Sequence, residues 1–130
     1  SKTRQAEDFQ SLVGVTVAGK NEEITVEGTL FAGDDPRIVR IDGYRVDAIP
    51  HGHMLVARNR DEPGVIGFVG TVLGEHDVNI AGMFNARGTI GGEALSVYNL
   101  DDALTDEAKE ALESDERMIE VRYIQLNGTE

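Results

Sequence analysis

Cysteine and tryptophan are both absent from this chain of 130 residues, and it has only three prolines. Without cysteine there is no disulfide, no thiolate nucleophile and no cysteine-ligated metal, a composition that fits a reducing cytoplasm. Aromatic residues make up 5% of the chain, too few for the stacking platforms that hold single-stranded nucleic acid. No apolar run approaches the roughly 18 residues that a membrane helix needs, and no signal-peptide pattern is present. Positive charge is also scarce, with 12 Lys and Arg against 24 Asp and Glu and a net charge of −12. An acidic surface repels phosphate backbones and anionic lipid, which argues against nucleic-acid and membrane partners. The imbalance is uneven. Residues 1–60 hold eight basic against nine acidic side chains, and residues 61–130 hold four against fifteen. A solvated acidic face, as in a salt-adapted protein, accounts for the excess without a specific ligand.

What is present is an ordinary globular balance, 40% hydrophobic and 28% charged, in a chain long enough for one domain or two small ones. Residues 1–8 are polar and lack periodicity, so they are expected to form a linker or a frayed terminus. Residues 9–50 then read as a small antiparallel β segment. Val13, Val15 and Val17 alternate, as do Ile24 and Val26, around the turn-like Gly19-Lys20-Asn21. Asp34-Asp35-Pro36 is expected to end a strand. Ile38, Val39 and Ile41 precede Asp42-Gly43, and Tyr44 and Val46 follow it. Asp-Gly tolerates the positive φ angles of a type I′ hairpin turn.

The punctuation at Ile49-Pro50-His51-Gly52 marks a boundary, and residues 51–130 form a second pattern. The run Met54-Leu55-Val56-Ala57 reads as a strand. After Pro63, apolar residues at 65, 66, 68, 69, 72 and 73 have helical spacing, with Pro63 in the first turn and Gly74 at the C-terminal cap. Val78 to Met83 and Ala94 to Leu100 are two strands joined by Gly88–Gly92. Thr105 opens a second helix carrying Asp106 and Glu107, where the helix dipole favours negative charge. Met118 to Leu126 close the series as a final strand. The order is β-α-β-β-α-β, a ferredoxin-like α+β fold.

Three clusters stand out chemically. A helix that begins near Pro63 leaves free backbone amides, which attract a carboxylate or phosphate. Asn59 and Asp61 flank that opening, Gly64 permits close approach, and a β-α-β unit is expected to bring Asn79 and Ile80 nearby. Asp61 suits an ammonium group, and the two asparagines offer donors and acceptors. The plainer alternative is that Asp61 caps the helix and Asn79 fills a turn. Gly67, Gly70 and Gly74 share a helix face. Each interior glycine costs roughly 1 kcal/mol relative to alanine, a cost that suggests close approach of another subunit. Arg37, Arg40 and Arg45 surround the Asp42-Gly43 hairpin and suit an anion, or pair with the neighbouring acids.

Catalytic patterns are missing. His51-x-His53 lacks a third metal ligand, and His76 suits a helix end. Gly88-Thr89-Ile90-Gly91-Gly92 departs from the dinucleotide G-x-G-x-x-G, and there is no P-loop or nucleophile elbow. Neither a catalytic residue nor a metal site is expected in this chain.

The stretch DEPGVIGFVGTVLGEHDVNIAGM (Asp61–Met83) closely resembles the ACT domain, a β-α-β-β-α-β module that senses small molecules. Upstream, GTLFAGDDPRIVRIDGYRVDAIPHGHMLVARN (Gly28–Asn59) resembles the end of the intervening domain that precedes ACT in long-form D-3-phosphoglycerate dehydrogenases. The resemblance covers about Ala6 to Leu126. It implies a regulatory C-terminal part of an NAD-dependent oxidoreductase that opens serine synthesis, with no cofactor in this part itself. It also implies L-serine as effector, bound between paired ACT domains of a homo-oligomer. The family positions fall on Asn59, Asp61, Asn79 and Ile80, with Pro63 and Gly64 shaping the loop. Position 59 departs from the family, where His or Tyr is common. Two alternatives stay open: the regulatory domain of an iron–sulfur L-serine dehydratase, and an oligomerisation module that senses nothing.

Overall fold

In the computed structural model, residues 2–4, 12–19, 22–31, 35–88 and 92–126 are described. The chain divides into two compact units, Ser1–Pro50 and His51–Glu130.

The first unit is a five-stranded antiparallel meander in sequence order. Its strands are β1 (Lys2–Arg4), β2 (Leu12–Gly19), β3 (Glu22–Phe31), β4 (Asp35–Ile41) and β5 (Tyr44–Ala48). Residues 2–4 are therefore not a linker. They pair with Leu12 to Gly14 as an edge strand, because ladder hydrogen bonds need only backbone, whereas the sequence pattern detects apolar alternation. Pro36 likewise sits inside β4, opposite Leu30. As the second residue of the strand its missing N–H costs little pairing. The β4–β5 turn follows the expectation, with Asp42 at φ 48° and Gly43 at φ 87°. Asp42 also staples the hairpin to β3: its N–H donates to the Thr25 carbonyl at 2.9 Å, and its Oδ1 accepts from the Thr25 N–H at 3.0 Å. Ile38, Val39, Ile41, Val46 and Ala48 are buried. The expected turns at residues 20–21 and 32–34 lie outside the described residues.

The second unit runs β6 (His53–Arg60), α1 (Val65–Glu75), β7 (Ile80–Arg87), β8 (Glu93–Leu100), α2 (Asp106–Glu113) and β9 (Met118–Gln125). This is the ferredoxin-like β-α-β-β-α-β order. Its sheet is antiparallel with strand order β7-β8-β6-β9, so β7 is an edge and β6 is central. Met54, Leu55, Val56 and Ala57 are all buried, the continuous apolar run of a central strand. Leu55, Ala57, Tyr98, Leu100 and Val121 meet Val65, Val69, Val72 and Leu73 of α1 and Ala108 and Leu112 of α2 in one core.

The start of α1 differs from expectation. Pro63 and Gly64 form a turn ahead of the helix, and Gly64 is the N-cap with φ 89°, a left-handed conformation that glycine adopts freely. Gly74 is not the cap at the other end. The helix runs on to His76, after which Asp77 takes φ 60°. Asp77 N–H donates to the Gly74 carbonyl and Val78 N–H to the Leu73 carbonyl, the paired bonds of a Schellman ending. His76 Nδ1 lies 2.9 Å from the Val72 carbonyl oxygen, which accounts for histidine at this place. No helix among the described residues is long and apolar enough to cross a membrane.

Candidate functional site

Asn59, Asp61, Pro63 and Gly64 gather where β6 leaves the sheet and α1 begins. Neighbours on both sides fix the loop backbone. Arg60 N–H donates to the Arg117 carbonyl, Asp61 N–H to the Gly92 carbonyl and Glu62 N–H to the Arg60 carbonyl, each at 2.9 Å. Asn59 is 6% exposed and pairs with Ala94 of β8. Its Nδ2 donates to the Arg60 carbonyl at 2.6 Å, and its Oδ1 accepts no hydrogen bond among the described residues.

Asp61 does not cap α1. No side chain caps this helix and no acidic residue lies in its first turn, so the first amides remain available. The Asp61 carboxylate instead accepts from Arg87 Nε at 2.9 Å. Arg117, which precedes β9, braces the loop from the other side. Its Nη1 lies 3.3 Å from the Pro63 carbonyl oxygen, and its guanidinium lies over the Phe68 ring at 5.7 Å. Three further hydrogen bonds tie Arg117 to the Asp115 carboxylate, two from the guanidinium and one from the backbone N–H, and they pull the Asp115 pKa down to about 2.

Sequence reasoning missed Asn85, Arg87, Ser96 and Arg117. Arg87 and Asn59 both stand opposite Ala94 in the register, so the three make a row across β7, β8 and β6. The next row is Asn85, Ser96 and Ala57, in which Ser96 Oγ donates to Asn85 Oδ1 at 2.7 Å. Residues opposite one another in an antiparallel pair point to the same face. A polar patch thus surrounds the small Ala94 beside the start of α1. The available signal was period two: Asn85 and Arg87 are two residues apart in an otherwise apolar strand.

Asn79 and Ile80 do not join this patch within one chain. The second strand of the β-α-β unit does not lie beside the first, because β8 is inserted between them. Ile80 pairs with Leu100, which pairs with His53 at the opposite end of β6 from Asn59. At about 3.3 Å per residue that is roughly 20 Å away. There, Asn79 Nδ2 donates to Asp101 Oδ2 at 2.7 Å and its N–H to Asp102 Oδ2 at 3.3 Å.

Gly67, Gly70 and Gly74 meet nothing where a Cβ would stand. Ile66, 47% exposed, adjoins them. At 100° per residue these glycines lie on the side of α1 away from its buried Val65, Val69, Val72 and Leu73. In the first unit Arg37 pairs with Asp47 at 2.8 Å and Arg40 with Glu27 at 3.0 Å, while Arg45 is exposed opposite Arg40. Neutralisation by neighbouring acids accounts for two of the three. His53 Nδ1 lies 2.5 Å from the Tyr123 hydroxyl. No group of three or more metal-ligating side chains occurs among the described residues.

Comparison with known proteins gives a match to the D-3-phosphoglycerate dehydrogenase intervening domain over residues 1–42. The D-3-phosphoglycerate dehydrogenase of Archaeoglobus fulgidus is 38% identical over 128 residues, which is 97% of this chain and 24% of that protein. The Bacillus subtilis enzyme of the same name is 35% identical over 118 residues, 91% of this chain and 22% of its own length. That from Methanocaldococcus jannaschii is 30% identical over 120 residues. The chain belongs to the D-3-phosphoglycerate dehydrogenase family. It spans about a quarter of the length of these relatives. The family model lies within the first unit, the matches to these relatives run across both, and together they favour a dehydrogenase parent over a serine dehydratase.

Proposed function

We propose that the His51–Glu130 unit is the amino-acid-sensing part of a cytoplasmic, NAD-dependent D-3-phosphoglycerate dehydrogenase, and that L-serine is its effector. The observation that carries this reading is the buried Asn59, whose Oδ1 is unengaged beside an α1 start that no side chain caps. A zwitterion suits those groups. Its carboxylate meets the helix amides, its ammonium meets Asp61, and a short hydroxyl side chain reaches Asn59. NAD is not placed on this chain, whose GTIGG loop departs from the dinucleotide pattern.

The working unit is a homodimer joined along β7. This strand is an edge of its sheet, Met83 on it is 39% exposed, and the glycine strip of α1 has open space around it. Two-fold symmetry runs the two β7 strands antiparallel, so the start of one lies beside the end of the other. Asn79 and Ile80 of one subunit thereby approach the Asp61 loop of its partner, which reunites residues that a single chain keeps apart. Serine then regulates the catalytic part by binding two subunit arrangements unequally.

Calorimetric titration of L-serine into the 130-residue chain tests the proposal. Saturable binding that weakens at least tenfold in Asp61→Ala is expected. A dimeric chain that gives no heat and no thermal shift at millimolar L-serine overturns it.

A further inference from the structure

We infer that Arg87 is a second ligand-binding residue, and that the amino acid enters by opening the Arg87–Asp61 ion pair and bridging its two halves. The inference rests on the amino-acid-binding reading above. In the chain as it stands, Arg87 Nε donates to Asp61 Oδ2 at 2.9 Å. The two partners are unequally placed. The Asp61 side chain is 16% exposed and that of Arg87 is 51% exposed, so the carboxylate is the shielded member and the guanidinium the solvent-facing one. A shielded carboxylate requires a counter-charge. Arg87 supplies it when no ligand is present, and a partly exposed pair of this kind is weak enough to be replaced.

A zwitterion is the ligand class that can replace it without leaving a charge unmatched. The ligand ammonium takes the place of the guanidinium on Asp61. The released guanidinium is planar and presents paired donors, and it holds the ligand carboxylate together with the α1 amides. One pair becomes two. The rows across the sheet give the ligand a place between them, because Arg87 and Asn59 flank Ala94, whose side chain is a single methyl group. Arg87 also ends the edge strand β7, so its release on binding occurs at the edge where the partner subunit is proposed to sit.

The inference makes the site selective for ligands that carry both charges. An amine without a carboxylate displaces Arg87 and leaves it unpaired. A carboxylate without an amine leaves Asp61 already occupied.

Calorimetry with L-serine, ethanolamine and 3-hydroxypropionate, on the full chain and on Arg87→Ala and Arg87→Lys, provides the test. Wild type is expected to bind serine and to bind either half-ligand at least tenfold more weakly. Arg87→Ala is expected to lose at least tenfold in serine affinity, with ethanolamine binding unchanged or tighter, and Arg87→Lys falls between. Serine binding to Arg87→Ala within threefold of wild type overturns the inference and leaves the proposed function standing. Equal weakening of serine and ethanolamine in Arg87→Ala also overturns it, since that result marks Arg87 as a brace for the loop. Absence of serine binding to wild type is a different failure, that of the sensing reading itself.

Discussion

The two helices of the second unit lie in one layer, pack into one core and begin in opposite ways. At α2 the sequence completes its own helix start: Thr105 Oγ1 accepts from the Ala108 N–H at 3.1 Å, and Asp106 and Glu107 fill the first turn. At α1 the cap is Gly64 at φ 89°, with no side-chain acceptor and no acid. α1 buries Val65, Val69, Val72 and Leu73 and α2 buries Ala108 and Leu112, so the helix with the larger apolar face is the one without a side-chain cap. A structural helix satisfies its own amides. One that leaves them open, beside the Asn59 Oδ1 and the Asp61 carboxylate, leaves room for an anionic group from outside.

The largest expected effect tests the likeness of the helices rather than their difference. Leu73→Ala in α1 and Leu112→Ala in α2 each remove a side chain that is 0% exposed. Each is expected to cost about 2–5 kcal/mol by denaturant unfolding, and a much smaller cost at either would show that its helix is not part of the shared core. Gly64→Ala follows. Its positive φ makes alanine unfavourable by about 1 kcal/mol, and its Cβ would meet Arg117 Nη1 at 3.3 Å. Loss of L-serine binding is expected with it. Thr105→Ala is expected to cost about 1 kcal/mol and to leave serine affinity unchanged. If the two substitutions affected binding alike, the distinction between the helix starts would collapse.

Smaller still is Gly70→Glu on the open strip. Because nothing occupies the space around Gly70, the thermal stability of the monomer should change by no more than about 1 kcal/mol. Sedimentation is expected to show loss of the dimer. The smallest effect concerns the Arg117 brace. Arg117 holds the Asp115 pKa at about 2, below the ordinary 3.8. A carboxylate depressed in the folded state stabilises it above pH 3.8, and that contribution disappears as the pH falls through about 2. In Arg117→Ala the Asp115 carboxyl should titrate higher by NMR but stay below its ordinary value, because the backbone N–H of residue 117 still donates to it, and the acid-side loss of stability should shift accordingly.

Features written in local chemistry were legible in the sequence. Asp42-Gly43 announced its hairpin, Thr105 its cap, and the β-α-β-β-α-β order followed from apolar spacing. Features that depend on strand order were not. Insertion of β8 between β6 and β7 is a non-local event, and it moved Asn79 and Ile80 to the far end of the sheet while bringing Arg87 opposite Ala94. Residue identity also misled at the ends of α1. Pro63 and Gly74 look like its first turn and its cap, but Gly64 and Asp77 hold the left-handed conformations that set its limits. Spacing alone thus put Asn79 and Ile80 beside the Asp61 loop within one chain, which the strand order rules out, whereas the resemblance already implied a site between paired subunits.

The central claim, a site shared between subunits, is tested most directly by mixing two disabled chains. Asp61→Ala and Asn79→Ala homodimers should each fail to bind L-serine. After subunit exchange, the heterodimer carries one intact Asp61 loop facing one intact Asn79, so calorimetry should recover one site per heterodimer, about a quarter of the wild-type sites in a randomly exchanged mixture. An exchanged mixture that binds nothing, or an Asn79→Ala homodimer that binds as wild type does, would contradict the account.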